Sequence, residues 1–157
     1  MLTLDPPHRN FSATHLPALR AYLRRAQHAV GLQGTVSVLL SNDRTLRRLN
    51  RDYRGKDKPT DVLSFPAADF SIQPAGTPAL AARRHAGDLA LSLETAARQA
   101  RALGHPLATE VRILLLHGLL HLAGYDHETD RGEMAEREEQ LRRRFRLPTA
   151  LIARYHG

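Results

Sequence analysis

The sequence predicts an α/β (α+β) fold in a single domain, residues 1–157, with a small mixed four-stranded sheet, about five helices and one exceptionally apolar helix at the centre. Three observations predict it. Segments whose hydrophobicity alternates every second residue are interleaved with segments repeating every three to four. The stretch Leu114-Leu115-Leu116-His117-Gly118-Leu119-Leu120-His121-Leu122 carries leucine at a density that a peripheral helix does not tolerate. A chain of 157 residues with 42% hydrophobic content is long enough to bury one real core.

Residues 1–4 form a short edge strand before Pro6 and Pro7. Across residues 14–30, Leu16, Leu19, Leu23 and Ala26 recur at helical spacing, with arginines opposite. Residues 35–41 alternate Val36, Val38 and Leu40 with polar neighbours, the pattern of a half-buried strand. Asn42 or Asp43 then caps a helix through Tyr53, with Leu46, Leu49 and Tyr53 inward and Arg44, Arg47, Arg48 and Arg51 outward. Residues 55–60 break it into a loop, residues 62–65 are short and β-prone, and Pro66 marks a strand end or an edge. Residues 67–86, rich in Ala, Pro and Gly, read as a flexible surface connection. Residues 88–91 give a further short strand, and Ser92 caps a helix that Gly104 ends. Pro106 suits the first turn of the central helix. Asp130 with Glu133 has the pattern of a capping box opening a last helix, whose Met134, Leu141 and Phe145 face the core. In that helix Glu136, Glu138 and Glu139 precede Arg142, Arg143, Arg144 and Arg146, an order that the helix dipole accounts for without any function.

Composition narrows the chemistry. Cysteine is absent, which removes disulfides, thiolate nucleophiles and cysteine metal ligands together. Lys56 and Lys58 are the only lysines among 23 basic residues, and the net charge is +7. Such an excess fits a polyanionic partner, nucleic acid above all. No basic region followed by an apolar run opens the chain, and the apolar run around His117 is too short to span a bilayer, so a cytoplasmic protein is expected.

Two histidines, His117 and His121, interrupt the leucine-rich segment four residues apart. Side chains at i and i+4 lie on one helical face, so both imidazoles can share one metal ion. Gly124 ends the helix and allows the chain to fold His127 back toward the pair. Three neutral nitrogens with a fourth position open is the pattern of a catalytic zinc site. A lone buried histidine is more often a core residue bonded to a carbonyl. Three ring nitrogens within eleven residues would each need a partner, at a cost on the order of 1–3 kcal/mol apiece, and one divalent ion satisfies all of them. Metalloproteases carry glutamate directly after the first histidine, as the base that takes a proton from water. Here that position is Gly118, which argues against peptide hydrolysis. Phosphodiester cleavage needs cations aimed at phosphoryl oxygens, and Arg54, beside Lys56 and Lys58, is either such a clamp or a solvated helix end. Asp126 either orients an imidazole or forms a turn with Gly124 and Tyr125.

Residues 117–127, His117-Gly118-Leu119-Leu120-His121-Leu122-Ala123-Gly124-Tyr125-Asp126-His127, resemble the signature of the YbeY family, bacterial metal-dependent endoribonucleases of ribosomal RNA maturation. Residues 53–66, Tyr53-Arg54-Gly55-Lys56-Asp57-Lys58-Pro59-Thr60-Asp61-Val62-Leu63-Ser64-Phe65-Pro66, are similar to that family's second block, and residues 87–92 to its third. The stretch from Asp69 to Arg84 matches no motif. The resemblance implies that His117, His121 and His127 bind one zinc ion, that Arg54 is the functional arginine, and that the zinc helix lies near the centre of a single α/β domain. It further implies RNA, the small-subunit rRNA precursor, as substrate, trimmed at its 3′ end, with a role in ribosome quality control and with the ribosome or its assembly factors as partners. Arg47, Arg48, Arg51, Lys56 and Lys58 are the candidate RNA contacts.

The leading expectation is therefore a zinc-dependent, single-strand-specific endoribonuclease acting in 16S rRNA 3′-end maturation. A non-catalytic ribosome-assembly factor stabilised by a structural metal is the alternative. A metallohydrolase of peptides or amides is weaker, on account of Gly118.

Overall fold

Backbone period and capping explain where each element of the computed structural model begins and ends; the structure describes residues 1–67, 85–126 and 128–149. Strand β1 (Leu2–Leu4) leads through a 3-10 turn at Ala13–His15 into helix α1 (Leu16–Val30). Strand β2 (Thr35–Ser41) is followed by helix α2 (Asp43–Arg54), strands β3 (Val62–Pro66) and β4 (His85–Ser92), and helices α3 (Leu93–Leu103), α4 (Leu107–Leu122) and α5 (Glu133–Arg144). The Asn42 side chain accepts from Thr45 N–H at 3.0 Å, and Ser92 Oγ accepts from Thr95 N–H at 3.2 Å, so both predicted caps satisfy an otherwise orphaned helix donor.

The sheet runs in the order β1-β2-β4-β3, with β1, β2 and β4 parallel and β3 antiparallel to β4. Strand alternation then decides which residues face which helices. Val38, Leu40, Leu89 and Leu91 share the main core with Leu19, Tyr22 and Ala26 of α1, with Met134 and Leu141 of α5, and with the buried α4 run. On the opposite face Leu46 of α2 packs with Leu63 and Ala90. Helix α4 is buried from Glu110 to Leu120 except at Arg112, in accord with its largely apolar sequence.

Three local expectations are corrected. The expected connection over residues 67–86 overlaps β4, because His85 and Ala86 already belong to that strand and Ala86 C=O accepts from Ala67 N–H; the rest of it, residues 68–84, lies outside the described residues. Tyr53 is exposed, with only an edge-on contact to Phe65; the inward position one turn earlier is filled by Asn50, whose amide donates to Lys58 C=O at 2.9 Å. Asp130 does not open α5 itself. Its carboxylate accepts from Gly132 N–H and Met134 N–H at 2.9 Å, and the helix starts after Gly132 at φ 98°. Glu138 and Arg142 of α5 are both buried, and Glu138 meets His117 of α4.

Candidate active site

His117 and His121 project from the last two turns of α4, one above the other, with ring centroids 4.7 Å apart and planes at 79°. Each ring is oriented through its Nδ1. His117 Nδ1 lies 2.5 Å from Glu138 Oε1, and His121 Nδ1 lies 3.1 Å from Tyr125 C=O. A carboxylate and a carbonyl are acceptors, so both Nδ1 atoms donate and Nε2 is the atom of each ring left to face an ion. The two Nε2 atoms stand 3.1 Å apart. Ligands about 2.0–2.1 Å from a tetrahedral zinc ion are separated by about 3.3 Å, so this pair fits two corners of such a site. Holding the far nitrogen by a carboxylate or a carbonyl is likewise the usual support of a metal-binding histidine. Among the described residues no group of three His, Asp or Glu side chains forms a cluster able to hold an ion; the third expected ligand, His127, lies outside them.

The chain turns directly after the pair. Gly124 takes φ 102°, in the region glycine enters without strain, and Tyr125 N–H returns to Leu120 C=O at 3.0 Å. That return places the Tyr125 carbonyl under His121. The Asp126 carboxylate accepts from Glu128 N–H at 3.0 Å, while its carbonyl accepts from Thr129 and Asp130, so in this structure Asp126 forms a turn. For the two described imidazoles, the orienting contacts come from Glu138 and Tyr125 instead.

Glu138 was hidden in the sequence inside a run of charges. Its signal lies in spacing, because Met134, Glu138, Leu141 and Arg142 fall at i, i+4, i+7 and i+8, the core-facing stripe of α5. Arg142 Nη2 donates to Glu138 Oε2 at 2.9 Å, so the carboxylate bridges a guanidinium and an imidazole in the interior.

The imidazoles open onto a cleft of about 530 Å³ whose walls include Arg54, Asp61, Ser64, Tyr125 and Asp126. Arg54 ends α2, and its Nη2 donates to Ser64 C=O at 2.5 Å while the guanidinium carbon sits 5.7 Å from the Phe65 ring centre. The structure thus brings the predicted arginine and two predicted histidines into one cavity. It does not bring the other basic candidates there. Arg47, Arg48 and Arg51 line a separate hollow along α2, where Arg47 is paired with Asp57 at 2.8 Å and Arg51 with Asp52 at 3.2 Å. Lys56 and Lys58 are exposed in the loop beyond.

Gly118 faces the sheet at Leu89 and Ser64, beside the cleft. A Cβ there would lie 2.8 Å from Leu89 Cδ2 and 3.3 Å from Ser64 Oγ, so helix and sheet meet too closely for a glutamate.

A family model described as Endoribonuclease YbeY matches residues 8–146 of the chain. The Endoribonuclease YbeY of Koribacter versatilis (strain Ellin345) is 47% identical over 137 residues, covering 87% of this chain and 82% of that protein. That of Solibacter usitatus (strain Ellin6076) is 48% identical over 138 residues, covering 88% and 84% respectively. The solution structure of TM1509 from Thermotoga maritima is similar with a TM-score of 0.57 at 26% identity, covering 93% of this chain and 92% of that one.

Proposed function

The chain belongs to the endoribonuclease YbeY family, and from that premise we propose that it is a zinc-dependent endoribonuclease cutting single-stranded RNA in 16S rRNA 3′-end maturation and in ribosome quality control. The observation that carries the proposal is the meeting, in one cleft, of two imidazole Nε2 atoms 3.1 Å apart with the Arg54 guanidinium. His117, His121 and, from its place in the motif, His127 would hold the ion. When bound, zinc supplies Lewis acidity toward an oxygen.

The chain's own residues do the rest. Glu138 and the Tyr125 carbonyl accept from the Nδ1 atoms, which orients the rings and leaves each Nε2 as the ligand atom. Arg54 answers the charge that grows on phosphoryl oxygens. A guanidinium has five N–H donors, one of which goes to Ser64 C=O, and that bond together with the Phe65 ring fixes its plane at the cleft wall. No carboxylate follows His117, and Leu89 and Ser64 leave no space for one, which speaks against peptide hydrolysis by the metalloprotease scheme.

RNA is the substrate on this reading, with the ribosome or its assembly factors as partners and the cytoplasm as the setting. Among the described residues no helix is long and apolar enough to cross a membrane. The family match over residues 8–146 supports reading the chain as one domain. The test is cleavage of a labelled single-stranded RNA by purified protein, beside His117→Ala and Arg54→Ala. Both variants should lose activity by at least about a hundredfold, the scale for removing one preorganised charge-stabilising group. Equal cleavage by all three proteins would assign the activity to a contaminant.

A further inference from the structure

Resting on the reading of the chain as a ribonuclease, we infer that a second cationic surface, built by α1 and the end of α5, docks the phosphodiester backbone of RNA outside the histidine cleft. Arg24, Arg25 and His28 of α1 meet Arg144, Phe145 and Arg146 around a cavity of about 530 Å³ that shares no lining residue with the cleft. Helix α1 contains no acidic residue to offset its arginines. Among the described residues, Arg24, Arg25, Arg144 and Arg146 form no ion pair, whereas Arg47 and Arg51 on α2 are each matched to an aspartate. Uncompensated guanidinium groups on packed helices are the arrangement that phosphate oxygens recognise, and releasing counterions on binding makes such contacts favourable.

The backbone gives a second, independent sign. Arg146 has φ 57°, in the left-handed region, where Arg146 N–H returns to Arg143 C=O and Leu147 N–H to Arg142 C=O at 2.7 Å. That is the position after a helix where glycine is strongly favoured. A guanidinium stands there in spite of the strain, at the rim of the cationic cavity. A bilayer is a poor match, because the apolar stripe of α1, Leu19, Tyr22 and Ala26, is already buried in the core and cannot insert.

The test measures binding of a fluorescent single-stranded RNA by anisotropy as salt is raised. Chelator and the His117→Ala background keep the cleavage reading out of the result. The variant Arg24→Gln/Arg25→Gln/Arg144→Gln/Arg146→Gln removes four exposed charges. At about 0.7 per phosphate on a single strand, its log Kd against log salt should be shallower by about 3. Wild type should then lose about 50-fold more affinity than the variant between about 50 and 200 mM salt. The matching α2 variant, Arg44→Gln/Arg47→Gln/Arg48→Gln/Arg51→Gln, should change the slope less. Equal slopes for wild type and the α1/α5 variant overturn the inference, whether that face meets an acidic protein or nothing. Arg146→Gly alone should raise the thermal midpoint while weakening RNA binding. A lowered midpoint, or unchanged binding, would show that this position is not held for its charge.

Discussion

Removing the carboxylate of Glu138 tests at once what holds the interior of this protein together and what aims its histidines. Glu138 is 1% exposed and accepts from His117 Nδ1 at 2.5 Å and from Arg142 Nη2 at 2.9 Å. Arg142 is wholly buried; its Nη1 donates to Pro148 C=O at 3.0 Å, and its Nε has no hydrogen-bond partner among the described residues. Glu138→Ala therefore strands a buried guanidinium, at a cost of about 3–5 kcal/mol. That is about a fifth or more of the stability of a typical domain. With a urea slope of about 2 kcal/mol/M, the midpoint falls by about 2 M. Glu138→Gln keeps the shape but turns an amide N–H₂ toward one of the two donors, costing about 1–3 kcal/mol. The double variant Glu138→Leu/Arg142→Met replaces the pair by apolar groups of similar size, and should recover most of the stability lost by Glu138→Ala. It leaves His117 Nδ1 without its carboxylate, so zinc affinity should still fall about 10–100-fold. Urea melts of the metal-free proteins and zinc titration against a fluorescent chelator measure the two effects separately. A double variant that regains stability and wild-type zinc affinity together would refute an orienting role for Glu138.

Three further outcomes are expected. Gly118→Ala gains about 1 kcal/mol of helix propensity but forces a methyl against Leu89, a core side chain, at about 1–3 kcal/mol, so thermal melts should show a net loss near 1 kcal/mol, whereas a gain would mean that Leu89 moves aside freely. Burial raises the pKa of Asp43, but hydrogen bonds from Ser92, Thr95 and Arg98 outweigh it and hold the carboxyl below its ordinary value. A depressed carboxyl stabilises the fold above its unfolded pKa and loses that contribution as pH falls through the folded value. Asp43→Asn should thus cost about 1 kcal/mol near neutral pH and progressively less in acid, as read by urea melts across pH, and a pH-independent cost would contradict this. Zinc at about a hundredfold above its Kd should stabilise the metal-free protein by about 2.7 kcal/mol, or about 5–10 °C in Tm, and His117→Ala should abolish the shift; a shift that survives in that variant would place the ion elsewhere.

Much of the architecture was legible because it is written in short-range periodicity. The alternation of Val36, Val38 and Leu40, the caps at Asn42 and Ser92 and the continuous apolar run of α4 each depend on a few neighbouring residues, and each element forms where they place it. The spacing of His117 and His121 belongs to the same class, since one helical turn stacks two rings whatever the rest of the chain does. Tyr53 and the start of β4 depart from the local pattern because neighbouring elements override it: Asn50 takes the inward place to hold Lys58, and β4 is extended by pairing with β2 and β3 on both sides.

By itself, then, the sequence determined the elements, the central helix and the pair of imidazoles, because each follows from backbone geometry over a turn or two. Only the tertiary structure decided what those imidazoles meet. Packing α2 across one face of the sheet carries Arg54 to the mouth of the cleft, and packing α5 against α4 on the other turns Glu138 from one charge in a run into the buried acceptor for His117. Such contacts join residues far apart in the chain. They exist only after core burial has offset the entropy of bringing them together, and no local pattern encodes that step.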